Sequence, residues 1–378
     1  MDLFQHSINV ILENQHPEGA YVACPNFATY HYCWLRDGSF VAYSMDRAGQ
    51  PASAQAFYRW VGRTIMRYSG KVDVLEAMLK KGEKPDHRAI LNTRFTLEGI
   101  EEAHSDDGDW GNFQVDGYGS WLWGLAEHIK LTGDTSLLLE LVEPVKVTIR
   151  YLQLVWQLPN YDCWEEHPEY LHPYSLASIY GGLAAIAELG SVSELADCAR
   201  EACELSGKVK GFLAQHAIQD GRFIKHLTPA KKGEPAKPVQ KSGVDASLLG
   251  MAVPYAVFDL KDPAIEATIQ AIEKDLHLPD GGVYRYKEDV YYGGGEWILL
   301  TAWLGWYYAL TGSKARVQQM LKWIESTASP NGDLAEQVSD HLLAPAHFKP
   351  WVEKWGPVAS PLLWSHAMLI ILHKAIEG

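Results

Sequence analysis

Apolar residues recur at three- and four-residue spacing along most of the chain, and strictly alternating stretches are few. This period predicts helices near 2–14, 38–48, 51–68, 117–132, 134–157, 173–189, 191–215, 244–257, 262–275, 296–312, 313–328 and 359–376, twelve segments in all. Several consecutive segments are joined by a few polar or Gly-containing residues, LTGDTS at 131–136, ELGSVSE at 188–194 and LTGSK at 310–314, as in helical hairpins. The other connections, 15–37, 69–116, 158–172, 216–243, 276–295 and 329–358, are long and rich in Gly, Pro, Trp and acidic residues. Long and short connections alternate.

If six hairpins close into a ring, inner and outer helices alternate, the short turns gather at one end and the long loops at the other. The expected fold is therefore all-α, an (α/α)6 barrel, with function at the long-loop end. An open helical solenoid would show a fixed sequence period with similar repeats, and none is present. A single domain over 1–378 is expected, because the Lys/Pro-rich stretch TPAKKGEPAKPVQK at 228–241 suits a loop better than an interdomain linker.

Composition narrows the partners. With 33 basic and 47 acidic residues the net charge is -14, which argues against nucleic acid and anionic membrane. No run of 18 apolar residues is present to span a bilayer. The N-terminal MDLFQHSINVILENQ lacks the basic and apolar regions of a secretory signal. Cys24, Cys33, Cys163, Cys198 and Cys203 are odd in number and show no C-x-x-C spacing, as expected of free thiols in a reducing compartment. A cytoplasmic location is expected.

Polar-aromatic clusters stand just before the even-numbered helices: YHYCWLRDG at 30–38, DWGNFQVDG at 109–117, CWEEHPEYLH at 163–172, KSGVD at 241–245, RYKEDVYYGGGEW at 285–297 and NGDLAEQVSD at 331–340. They fall at one end of the expected ring. Charged residues are seldom packed among Trp and Tyr unless paired or used, so a concave aromatic site with convergent carboxylates is the functional reading. Each cluster also has a plainer reading. Asp37, Asp116 and Asp245 stand where Asp caps helices; Trp34, Trp110, Trp164 and Trp297 suit a core; Glu165 and Glu166 suit a solvated helix entrance. Glu165, Glu166, His167 and His172 lack a metal-ligand spacing such as H-E-x-x-H, so no metal is expected, and no phosphate loop, dinucleotide fingerprint or nucleophile elbow calls for a cofactor.

Tyr30–Asp37 (YHYCWLRD) resembles the Y-x-Y-x-W-x-R-D signature of glycoside hydrolase family 15, the glucoamylase family. Trp110–Gly117 resembles its W-G-x-x-Q-x-D-G segment, Trp164-Glu165-Glu166 its W-E-E, Arg285–Tyr291 with Trp297 its R-Y-P-E-D-x-Y followed by N-P-W, and Leu334–Gln337 its L-S-E-Q. The matches keep their order over nearly the whole chain. The resemblance implies an inverting exo-glucosidase with Glu165 as general acid and Glu336 as general base. It also implies that Arg36 and Asp37 grip the terminal glucose, Trp34, Trp110 and Trp164 line the pocket, Tyr30 sits beside the base, and Glu166 binds the next sugar. Acetal hydrolysis needs one acid to protonate the leaving oxygen and one carboxylate to activate water.

The chain departs from the family pattern at two positions. Lys241 stands where Arg usually precedes S-G-x-D, and Gly295-Glu296 replaces the Asn-Pro before Trp297. Lys241, Glu296 and Trp297 are thereby expected to shape the second subsite. The expected substrate is a short α-gluco-oligosaccharide, α-1,6 or α-1,4 linked, rather than starch. A disaccharide phosphorylase, a trehalase on the same barrel and a non-catalytic sugar-binding protein are the alternatives; Glu336 argues against the phosphorylase, which needs no base.

Overall fold

The computed structural model describes residues 2–102, 110–231 and 234–377. Asp109 of the second motif, and Lys232 and Gly233 of the 228–241 stretch, lie outside them. The helices are α1 (Leu3–Glu13), α2 (Leu35–Arg47), α3 (Pro51–Arg67), α4 (Gly70–Lys80), α5 (Asp116–Thr132), α6 (Thr135–Glu140), α7 (Val142–Val155), α8 (Pro173–Ala187), α9 (Ala196–His216), α10 (Pro263–Leu276), α11 (Ile298–Leu310), α12 (Lys314–Thr327), α13 (Phe348–Trp355) and α14 (Leu363–Glu377).

Five of them and one 3-10 segment, Ala246–Met251, close an inner ring in the order α2, α5, α8, Ala246–Met251, α11, α14 and back to α2. The inner members are buried over most of their surface, α11 from Ile298 to Tyr308 without interruption. The outer helices α3, α9 and α12 bury one stripe each and face water on the other, the amphipathic pattern that made the period legible. An aromatic layer fills the ring. Phe40 lies 5.2 Å from Trp303 and 5.3 Å from Trp364, and Tyr174 closes on Trp303 at 6.0 Å. The fold is an (α/α)6 barrel.

Four stretches differ from the periodicity. The helix expected over 244–257 is only the 3-10 segment, because Pro254 has no N–H to continue a ladder and Gly250 lies against the Tyr174 ring; Trp303 Nε1 takes up the Val253 carbonyl at 2.7 Å. The segment expected over 134–157 breaks at Leu141 into α6 and α7. Helices α4 and α13 occupy stretches expected to be loops; both are short, and α13 buries no residue fully.

Two-residue antiparallel pairs stitch the long connections: β1 (Cys33–Trp34) with β2 (Arg94–Phe95), β3 (Ile218–Gln219) with β4 (Arg222–Phe223), β5 (Leu227–Thr228) with β6 (Lys237–Pro238), and β7 (Glu296–Trp297) with β8 (Gln337–Val338). The closest helix approach is between α5 and α8, where a Cβ on Gly119 would collide with the Ser178 backbone and one on Gly182 with Gly119. Gly119→Ala is expected to destabilise the protein by at least ~1–3 kcal/mol through overpacking. Gly211→Ala, on the open face of α9, should be neutral or stabilising. Thermal unfolding of the two variants checks the contrast.

Candidate active site

The long loops surround a cavity of about 340 Å³ that reaches the first turn of α2. Tyr30, Trp34, Arg36, Asp37, Trp110, Trp164, Glu165, Glu166, Trp297 and Glu336 all line it. Ten of the twelve residues singled out in the sequence therefore meet in one place.

Glu165 sits on a tight loop built by Asp162. The Asp162 Oδ1 accepts from the Trp164 and Glu166 backbone N–H groups, both at 2.9 Å, and the Glu165 N–H donates to the Asp162 carbonyl. This leaves Glu165 at φ 68°, a left-handed conformation that non-glycine residues seldom adopt and that often marks functional sites. Its Oε1 accepts from Trp34 Nε1 at 2.7 Å and Gln114 Nε2 at 3.1 Å. Gln114 in turn accepts from Arg36 Nη1, so Glu165 and Arg36 share one scaffold.

Glu336 reaches the same cavity from the loop ahead of α14. Its loop is pinned by buried His366, whose Nε2 accepts from the Leu334 N–H, leaving Nδ1–H to donate to Ser7 Oγ at 2.8 Å. Burial pushes the His366 imidazole down to about 3, so it serves here as a neutral ring. The Glu336 Oε1 accepts from Tyr30 Oη at 3.2 Å, and Tyr291 Oη lies 2.7 Å from Tyr30 Oη. Its Oε2 is buried with no protein partner. Burial pushes the Glu336 carboxyl up to about 8, against the opposing pull of the Arg285 charge. Tyr30 and Trp34, edge to face at 5.6 Å, stand between the two carboxyl groups, each bonded to a different one.

At the deep end Arg36 bonds Gln114 and Asp116 through Nη1, both at 3.1 Å. Its Nε, 3.2 Å from Asp37 Oδ2, makes no hydrogen bond of good geometry, and neither does that oxygen. Asp37 is not a helix cap: α2 starts at Leu35, so Asp37 lies in its first turn with a carboxyl that burial pushes up to about 6. Asp116 is likewise the first residue of α5 rather than its cap, whereas Asp245 does cap, accepting from the Ser247 N–H at 2.8 Å. The capping reading holds for one of the three.

Toward the mouth, Trp164 Nε1 donates to both Asp245 oxygens at 3.1 Å, and Tyr286 Oη donates to Glu166 Oε2 at 2.5 Å. Arg285 is held by Asp289 through two bonds of 2.7 and 2.5 Å, with its guanidinium among Trp164, Tyr291 and Trp297. Arg94 packs 3.7 Å from the Trp110 ring centroid.

Two expectations are corrected. Lys241 is exposed on a left-handed turn outside the cavity. A buried lysine, Lys225, takes the inner place instead, 3.3 Å from Asp245 and over the Tyr286 ring. Glu296 also lies outside the cavity: consecutive strand residues point to opposite faces, so when Trp297 faces the pocket Glu296 faces away. There it accepts from the Gly282 N–H and pairs with His341 at 2.8 Å. Gln114, Arg285 and Tyr291 were within quoted motifs yet not singled out; Lys225, Trp351, Trp355 and Trp364 carried no signal beyond residue type.

Among the described residues one group could hold a metal: Asp162, His172 and His226, with ligand atoms within 4.8 Å of one another. Of the local Glu165, Glu166, His167 and His172 group it includes only His172. The two imidazoles already bond each other, Nδ1 to Nδ1 at 3.1 Å, and His172 Nε2 donates to the Asn160 carbonyl. The neighbouring Lys225 charge disfavours a cation, and the trio reads as a brace for the Glu165 loop.

The family model of glycosyl hydrolases family 15 matches residues 1–347. An isomaltose glucohydrolase from Kribbella flavida is 40% identical over 98% of this chain and 91% of its own length. A solved glycosidase variant in complex with glucose superposes with a TM-score of 0.88 at 38% identity, covering all of this chain and 96% of that one. A bacterial glucoamylase complexed with acarbose has a TM-score of 0.71 at 19% identity, covering 99% of this chain and 55% of that one, a likeness of fold.

Proposed function

The chain belongs to glycosyl hydrolases family 15 and is a glycoside hydrolase, and from that premise we propose that it is an inverting, exo-acting α-glucosidase of short gluco-oligosaccharides. Glu165 is the general acid and Glu336 the general base. The observation that carries the reading is the pair of carboxyl groups lining one cavity, Glu165 bonded to Trp34 and Glu336 to Tyr30, with Arg36 and Asp37 on the same lining. The terminal glucose binds against the Arg36–Asp37 pair. Glu165 protonates the glycosidic oxygen as the bond breaks. A water held on the free Glu336 Oε2 loses its proton to that carboxylate and adds to the anomeric carbon from the opposite face.

A blind end behind the sugar admits only a chain terminus, so one glucose leaves per cycle. The identity to an isomaltose glucohydrolase supports an α-1,6 preference. No described helix is long and apolar enough to cross a membrane, and a cytoplasmic location is part of the proposal. Incubation with isomaltose, maltose, kojibiose and trehalose, followed by NMR, tests this. Isomaltose should be cleaved fastest, with β-glucose appearing first, as inversion requires. Initial α-glucose would exclude the assigned mechanism, and release of sugar phosphate only in the presence of phosphate would point to the phosphorylase alternative.

A further inference from the structure

The cavity continues beyond Arg285 and Glu166 to a wall that none of the sequence motifs supplies. Helix α13 brings Trp351 and Trp355 to the lining. Trp351 is anchored: its ring lies 4.9 Å from Tyr291 and 5.7 Å from Tyr292. The Tyr292 hydroxyl donates to the Gly356 carbonyl at 3.0 Å, and the Leu343 and Ala344 N–H groups donate to Gly294 and Gly293. The helix is therefore fastened at both ends to the loop that follows Arg285. Trp355 is left 41% exposed at the cavity mouth, with Lys354 Nζ 4.7 Å from its ring centroid.

Trp355 thus presents a partly exposed indole on the lining of the binding cavity, where a ligand can cover it. The cavity itself narrows the choice of cover. On the exo-glucosidase reading the terminal sugar occupies the Arg36–Asp37 end, and Trp355, on the same cavity lining, is available to a glucosyl unit further along the chain. The C–H face of a pyranose is apolar and electropositive, a match for the electron-rich face of an indole. Glucosyl units joined in a short chain are thus the class of ligand that the wall fits.

We propose that Trp355, buttressed by Trp351, forms an outer subsite that stacks on the third glucosyl unit of an oligosaccharide, so that the enzyme favours trisaccharides over disaccharides. The proposal rests on the exo-glucosidase reading. The loss expected on removing one such stacking contact is roughly 3- to 10-fold.

The test compares kcat/KM for isomaltotriose, isomaltose and α-glucosyl fluoride, whose leaving group cannot reach the outer wall, in wild type, Trp355→Ala and Trp355→Phe. Trp355→Ala should lower the isomaltotriose-to-fluoride ratio roughly 3- to 10-fold and the isomaltose-to-fluoride ratio much less, and Phe should restore most of the loss. An unchanged isomaltotriose-to-fluoride ratio, or equal losses on all three substrates, overturns the subsite. Wild type inactive on all three overturns the underlying reading as well, and that result is distinct from an unchanged ratio in an active enzyme.

Discussion

Glu165→Gln and Glu336→Gln each lower kcat on isomaltose by roughly 10²- to 10⁴-fold, the range positioned acid and base groups contribute. The two losses differ in kind. Fluoride departs without a proton, so Glu165→Gln retains most of its activity on α-glucosyl fluoride, whereas Glu336→Gln loses activity on both substrates because water still needs its base. The pH profiles separate as well. Glu336 must be ionised to act, and burial holds its carboxyl at about 8, so the acidic limb of wild-type kcat/KM lies well above the ordinary carboxylate range. Glu336→Gln removes that limb. Retention of full isomaltose activity in either variant would falsify the assignment.

The same carboxyl has a cost in stability. A carboxyl whose folded pKa is raised binds its proton more tightly in the native state, so the fold is favoured at low pH and loses stability as pH rises from the ordinary value of 4.5 through about 8. Glu336→Gln carries no charge to bury. Its Tm should match wild type near pH 4 and exceed it by a few degrees above pH 8, a gain of stability with loss of function. Circular-dichroism melts at the two pH values check the crossover.

How much of this was legible in the sequence follows from which interactions are local. Helical period is local, so α3, α9 and α12, each with one wet face, stood out, and the alternation of short and long connections then implied the ring. Inner segment 244–257 misled because its apolar content comes from being surrounded, which a strand, helix or 3-10 turn can share; Pro254 was the physical clue against a helix. The site divides in the same way. Residues within motifs arrived together at the cavity, yet Glu296 shows that being next to a pocket residue in sequence is, in a strand, a reason to point away from it. Lys225 and Lys241 are separated by the β5–β6 hairpin, and only the pairing of those strands decides which lysine lies buried against Asp245 and Tyr286 and which in water. Trp351 and Trp355 looked like any other of the 14 tryptophans until α13 was seen folded onto Tyr291 and Tyr292.

Asp37→Asn is the second change expected to have a large effect, because it separates sugar recognition from helix capping. The Asp37 Oδ2 is buried 3.2 Å from Arg36 Nε without a well-formed hydrogen bond, and both residues line the cavity, so on the proposed reading the pair faces the terminal glucose. Hydrogen bonds to charged groups are worth about 1.5–3 kcal/mol, so Asn, with the same shape and no charge, should reduce kcat/KM roughly 10- to 100-fold on isomaltose and on α-glucosyl fluoride alike, since both present that glucose. Stability should move the other way. Burial holds the Asp37 carboxyl at about 6, so its ionised form weakens the fold as pH rises from the ordinary value of 3.8 through about 6, and Asn removes that penalty while Arg36 keeps Asp116. At pH 8 the variant should melt at or above the wild-type temperature while binding glucose more weakly. A helix cap would behave in reverse, with Tm lowered and kinetics of the folded enzyme intact; finding that pattern would remove Asp37 from the sugar site.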